Sequence, residues 1–171
     1  MKTYKIIKKQ KNADMCFVCG IDNHKGLQSH FYVLEENRVL GVFKGLDEHQ
    51  SFPGRMHGGL IASLLDETLG RALQAYDDDL WSVTVELTTK YIKPVPLHED
   101  LFIVGYLPDG PRKLHRGIGY ICLKDGTIVA RAEGRFRVLA VEQITSKKGM
   151  DPNQWRYITK DLAFNEIELP E

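Results

Sequence analysis

The chain has 171 residues, 43% of them hydrophobic and 27% charged, enough for one domain with a substantial core. Its 23 Lys and Arg balance 23 Asp and Glu, which excludes the global basic field of most nucleic-acid binders; basic residues gather only locally, as at Lys2, Lys5, Lys8, Lys9 and Lys11. No apolar stretch is long enough to span a membrane, the start lacks the apolar core of a signal peptide, and three cysteines suit a reducing compartment, so a cytoplasmic protein is expected.

Residues 1–28 read as an irregular N-terminal segment punctuated by Cys16, Cys19, Gly20 and Gly26. Ser29 to Glu35 and Val39 to Lys44 read as two short strands around Glu36-Asn37-Arg38. After a loop ending in Phe52-Pro53-Gly54, a helix is predicted from about Gly58 to Tyr76. Its apolar residues (Leu60, Ile61, Leu64, Leu65, Leu69, Ala72, Leu73, Tyr76) cover more than one face, which predicts a helix wrapped by other structure.

Beyond Asp77-Asp78-Asp79, a long strand is predicted from Trp81 to Ile92, with Trp81, Val83, Val85, Leu87 and Tyr91 at alternate positions, ended by Pro94 and Pro96. Leu101 to Leu107, Lys113 to Leu123 and Thr127 to Leu139 follow as strands separated by Asp109-Gly110 and Asp125-Gly126. Turns this short force antiparallel neighbours. The sum is an α+β domain over residues 29–140, one central helix followed by an antiparallel meander in which each strand neighbours the next, the sheet curled around the helix. In the extension 141–171, Asp151-Pro152 reads as a helix start, and Trp155, Ile158 and Leu162 as the stripe of a short amphipathic helix.

The predicted helix carries two acids in its middle. Around Asp66 at helical spacing stand Ala62, Ser63, Leu69 and Gly70, three of them small, leaving room for a close approach by a backbone or a substrate. Asp66 is either a structural carboxylate or a reactive one. Glu67 precedes Arg71 by four residues, which reads as a solvated helix ion pair. Gly58 and Gly59 leave the helix start unobstructed, where unpaired N–H groups can polarise a carbonyl; the same glycines also suit a tight turn into the helix. His57 can cap the helix or meet substrate, and has no neighbouring ligands for a metal.

His57-Gly58-Gly59 with Asp66 nine residues after the histidine resembles the signature of hotdog-fold acyl-CoA thioesterases of the phenylacetyl-CoA thioesterase (PaaI) type, related to the 4-hydroxybenzoyl-CoA thioesterases. Cys16-Phe17-Val18-Cys19-Gly20 with Asn23 and Gly26-Leu27, Gln50-Ser51-Phe52-Pro53-Gly54, and Tyr91-Ile92-Lys93-Pro94-Val95-Pro96-Leu97 are similar to one branch of that superfamily. The resemblance covers roughly residues 16–139 and implies a hotdog fold and acyl-CoA hydrolysis. It places Asp66 as general base or nucleophile, Gly58 as the carbonyl-polarising N–H, His57 in the same corner and Thr84 as the group that positions water. Gly59, Ser51, Gln50 and Glu67 are expected to line the substrate. Several relatives carry Asn where this chain has Ser51.

Gly58 and Asp66 are eight residues apart, ~12 Å along a helix axis, too far to act on one carbonyl. A homodimer with shared sites is therefore expected, and the resemblance implies the same; a dimer of dimers remains open. The competing readings are a non-catalytic acyl-CoA sensor and a hotdog acting in another step such as hydration. Cys16 and Cys19 have metal-like spacing, but a structural zinc takes four ligands and no second close pair follows; packing of a loop near the acyl pocket is expected, and no metal or cofactor is assigned. Among Lys90, Lys93, Arg112, Lys113, Arg116, Arg135 and Arg137, the sequence does not single out a partner for coenzyme A phosphates.

Overall fold

The computed structural model describes residues 1–144, 154–155 and 157–171. The strands are β1 (Lys2–Lys9), β2 (Lys11–Asn12), β3 (His30–Leu34), β4 (Arg38–Lys44), β5 (Trp81–Tyr91), β6 (Asp100–Tyr106), β7 (Leu114–Cys122), β8 (Ile128–Leu139), β9 (Tyr157–Ile158) and β10 (Glu166–Leu169). The helices are α1 (Gly58–Arg71), continued by a 3-10 turn at Ala72–Ala75, and the single turn α2 (Val141–Ile144). Eight strands form one sheet in the order β10-β1-β3-β4-β6-β7-β8-β5, and β2 pairs separately with β9. Every pairing is antiparallel. The α+β reading and the one long central helix are found as expected.

Helix α1 lies against one face of the sheet. It buries Ile61, Leu64, Leu65, Thr68 and Leu69, the three-and-four spacing of an apolar stripe. The strands give way beneath it: a Cβ on Gly105 would stand 3.0 Å from the Thr68 carbonyl oxygen. Thr68 keeps its own hydroxyl satisfied by donating to the Leu64 carbonyl at 2.7 Å. Phe31 and Val33 point to this helix-side core, while Tyr32 and Leu34 point to a second apolar cluster on the other face with Tyr4, Leu40, Val104 and Leu169. A strand buried on both faces loses the simple alternation of a half-exposed one.

Three expectations are corrected. Residues 1–28 are not irregular throughout, because β1 is a strand of the main sheet, between β10 and β3. Lys2, Lys5 and Lys9 face solvent and Tyr4 is buried, so a sequence that looks like a basic patch is an amphipathic strand. The tail helix expected from Trp155, Ile158 and Leu162 is not found among the described residues. Trp155 packs edge-on against Trp81 at 4.7 Å between ring centroids, Ile158 lies in β9 beside Lys11, and Leu162 joins the outer cluster. Asp151 and Pro152 lie outside the described residues. Finally, β5 does not neighbour β6 but lies beyond β8, at the end of the sheet.

Candidate active site

Asp66 sits half-buried in the middle of α1, where the helix passes strand β5. Thr84 donates its hydroxyl to Asp66 Oδ1 at 2.8 Å. That contact depends on an irregularity in β5. Opposite β8, Ser82 and Thr84 pair with Val138 and Phe136, whereas Leu87, Thr89 and Tyr91 pair with Gly134, Ala132 and Ala130. Phe136, Ala132 and Ala130 all belong to the helix-side core. The inward-facing residues are therefore even-numbered before Val85 and odd-numbered after it, and the register shift between Thr84 and Glu86 is the bulge that changes the phase. The even alternation expected through Trp81, Val83, Val85, Leu87 and Tyr91 is broken there. Unbulged, Thr84 would face away from Asp66.

Burial raises the Asp66 carboxyl above its ordinary range; the Thr84 hydrogen bond opposes the shift and neighbouring Glu67 adds to it. Asp66 and Thr84 open into a cleft of about 350 Å³ whose wall also includes Cys16, Glu67, Gly70 and Trp81. A carboxylate disfavoured by desolvation, held by one hydroxyl and facing a cleft, is suited to take a proton from water.

The start of α1 forms a second group. His57 is the N-cap, its Nδ1 accepting the Gly59 N–H at 2.9 Å, which assigns the ring proton to Nε2. Gly58, as the first helical residue, has an N–H with no intrahelical acceptor. Tyr91 donates its hydroxyl to the Gly58 carbonyl at 2.9 Å and thereby ties the helix start to the end of β5. The preceding loop folds back here: the His57 N–H donates to the His49 carbonyl at 2.9 Å, and Gln50 Oε1 accepts the Gly54 N–H at 3.0 Å. Ser51 is exposed, its N–H donating to the Arg55 carbonyl at 2.8 Å. The expected residues thus fall into two sets within one chain: His57, Gly58, Gly59, Gln50 and Ser51 at the helix start, and Asp66, Glu67 and Thr84 two turns on.

Glu67 and Arg71 form the expected pair at 2.8 Å, but it is not a solvated one. The Arg71 side chain is only 6% exposed. It lies over the Phe31 ring at 4.2 Å and donates to the Lys11 carbonyl at 2.9 Å, while Gln10 donates to the Arg71 carbonyl at 3.3 Å. The partners come from the N-terminal segment and from β3, which explains why helix spacing alone did not reveal the burial. Beside this pair, Cys16 Sγ lies 3.9 Å from Glu67 Oε2, and the Cys19 N–H points at Cys16 Sγ over 3.5 Å. The Cys19 thiol hydrogen bond brings the Cys16 thiol down to about 7, whereas Cys19, donating that bond and buried, is raised.

A larger cavity of about 460 Å³ lies on the outer face of the sheet, between Lys90, Arg131, Arg135, Arg116 and Glu133. Arg116 is held there by Glu133 at 2.6 and 3.0 Å. This cavity holds none of the residues expected to act on substrate.

Comparison with known proteins gives the same fold. Residues 53–107 match the Thioesterase superfamily, a segment that spans His57, Gly58, Asp66 and Thr84. The chain is 37% identical over 67 residues to acyl-coenzyme A thioesterase THEM4 of Rattus norvegicus, an alignment covering 39% of this chain and 28% of that protein. The structure of a thioesterase superfamily protein is similar at a TM-score of 0.64 and 32% identity, over 70% of this chain and 58% of that one. A Streptococcus pneumoniae thioesterase protein solved with coenzyme A has the same fold at a TM-score of 0.55 and 23% identity, over 60% of this chain and 82% of that one. The chain therefore spans well under two thirds of the length of the curated relative it matches. The fold is the hotdog fold, as the motifs implied, and it is shared with a thioesterase superfamily protein.

Proposed function

From a hotdog chain carrying the thioesterase-superfamily signature, we propose that the protein hydrolyses acyl-CoA thioesters to a free acid and coenzyme A. The observation that carries this reading is the Thr84–Asp66 hydrogen bond inside a cleft. In the proposed reaction, Asp66 accepts a proton from a water that Thr84 helps to hold, and the water oxygen bonds to the thioester carbonyl carbon. An N–H at a helix start stabilises the developing oxyanion. The carbon–sulfur bond breaks as the tetrahedral intermediate collapses, and the coenzyme A thiolate leaves and takes up a proton. Direct attack by the Asp66 carboxylate is the variant of the same chemistry.

The oxyanion donor comes from a second subunit in this reading. Gly58 and Asp66 lie ~12 Å apart along the axis of their common helix, so one chain supplies half of each site. Strand β5 ends the sheet, and Val85, Tyr91 and, just beyond the strand, Ile92 are exposed at 56%, 56% and 50%, so a second copy would meet a long strand edge carrying some apolar side chains. Two chains joined there antiparallel bring Asp66 of one toward Gly58 of the partner subunit, with Ala62, Ser63 and Gly70 allowing close approach. His57, Gly59, Gln50 and Ser51 then border the thioester. A homodimer is the minimum unit, and pairing of dimers is compatible with it. Three free thiols suit a cytoplasmic setting.

The test is thiol release from short, medium, long and aromatic acyl-CoAs, with Asp66→Asn as control. Turnover on at least one class that falls about 100-fold or more in the variant supports the reading. Tight binding without turnover would replace it by an acyl-CoA sensor.

A further inference from the structure

Cys16, Cys19 and Glu67 lie together although the second cysteine and the glutamate are 48 positions apart in the sequence. Their sulfur and carboxylate oxygen atoms are all within 4.8 Å of one another. We propose that these three residues bind a thiolate-preferring divalent cation, zinc in the cell. The ion would clasp the N-terminal loop to α1 beside the cleft.

The local backbone is shaped for the purpose. The Gly20 N–H donates to the Cys16 carbonyl at 2.8 Å and the Cys19 N–H faces Cys16 Sγ, so the chain closes tightly around the first sulfur. A Cβ on Gly20 would stand 2.3 Å from the Cys16 carbonyl oxygen, so this closure needs glycine. Backbone N–H groups aimed at a ligand sulfur are outer-shell partners of a thiolate site. Glu67 is oriented in the same manner. Arg71 holds Oε1 at 2.8 Å and leaves Oε2 toward Cys16.

Distance and charge agree. Zinc–sulfur and zinc–oxygen bonds of ~2.3 and ~2.1 Å give a tetrahedral sulfur–oxygen edge of roughly 3.6 Å; Cys16 Sγ and Glu67 Oε2 are 3.9 Å apart. Two thiolates and one carboxylate balance a divalent cation together with the buried Arg71 guanidinium. Soft sulfur ligands with one carboxylate favour zinc over magnesium or calcium. Cys16 and Glu67 line the cleft while Cys19 is fully buried behind them. A fourth ligand therefore comes from the cleft side, as water, the open arrangement of three protein ligands plus solvent. The sequence alone leads away from this site because the third ligand sits on another element and the fourth is not a protein group.

The full chain, purified under reductant, should retain about one zinc per chain after desalting. Cobalt(II) added to protein freed of zinc should give a thiolate-to-cobalt charge-transfer band, absent in Cys19→Ser and altered in Glu67→Gln. Because those variants can lose stability, the wild type supplies an independent readout: zinc should raise its melting temperature and slow alkylation of Cys16 at least tenfold. Reduced, folded protein that takes up no metal and whose Cys16 alkylates at the same rate with zinc overturns the proposal. So does metal uptake unchanged in the Cys16→Ser, Cys19→Ser double variant.

Discussion

Thr84 reaches Asp66 because β5 carries an extra residue just after it, so a hydroxyl that strict alternation sends outward donates inward at 2.8 Å. The bulge places a donor against a carboxylate whose charge is otherwise disfavoured by burial. Thr84→Val removes that donor and keeps the shape. A hydrogen bond to a charged group contributes about 1.5–3 kcal/mol, so turnover should fall roughly 10- to 100-fold. Thr84→Ser should restore most of it. The acid limb of the rate profile should also move to higher pH in Thr84→Val, since the lost bond is the one that favours the ionised carboxylate. An unmoved limb would make Thr84 a packing residue only.

Asp66 gives a paired prediction for pH. Its carboxyl is raised in the folded chain, so between the unfolded and folded values the native state holds more protons than the unfolded one. Stability contributed by this group is therefore complete below the unfolded value and declines as pH rises through the folded one. Asp66→Asn should melt higher than wild type at neutral pH, and the gain should vanish in acid. Turnover runs the other way: the base is lost as pH falls through the same raised value. Melting and rate profiles recorded over one buffer series check both, and an acid limb at or below the ordinary aspartate range would contradict the role of burial.

Glu67→Gln separates the two neighbouring acids. It leaves the buried Arg71 guanidinium without its carboxylate, and breaking a buried pair costs about 3 kcal/mol or more. Denaturant melts should show this loss. Turnover of the folded fraction should change far less than in Asp66→Asn. A collapse of activity in Glu67→Gln with turnover retained in Asp66→Asn would exchange the roles of the two residues.

Complementation tests the two-chain site. Asp66→Asn and Gly58→Val should each be inactive, and a Cβ at position 58 meets the Tyr91 ring at an ordinary 3.5 Å, so the fold tolerates at least the first added carbon. Unfolded and refolded together with random pairing, half of the dimers are mixed, and each mixed dimer holds one intact site. Activity should return to roughly a quarter of wild type. Proven heterodimers without activity would place the donor facing Asp66 in its own chain.

The sequence was legible where one face of an element meets one environment. The central helix, the strands from His30 onward, and the places of His57 and Gly58 at the start of α1 and of Asp66 in its middle follow from apolar spacing, turn residues and motif. Strand β1 was hidden because Lys2, Lys5 and Lys9 flank a single deeply buried side chain, Tyr4, whose cover comes from the far end of the chain. The tail misled through Trp155, Ile158 and Leu162, whose helical spacing is accidental: each meets a different partner. The buried state of Arg71 depends on Gln10, Lys11 and Phe31, contacts between segments that no local pattern encodes. The inward turn of Thr84 rests on a bulge that alternation cannot announce.

The two borders of the sheet differ in a way that bears on how far self-association can go. One border is β5, eleven residues long, and the other is β10, four residues long with Glu166 and Glu168 facing solvent. If β5 of one molecule joined β10 of the next, each addition would expose a fresh β5, and a filament would grow. The short, acid-bearing β10 is a poor match in length for β5, and the facing glutamates of two β10 strands repel each other. A β5 border that instead meets its own copy closes at once, leaving only the two short acidic borders outward. In the proposed dimer, the difference in length and charge between the sheet's ends would thus keep the particle finite.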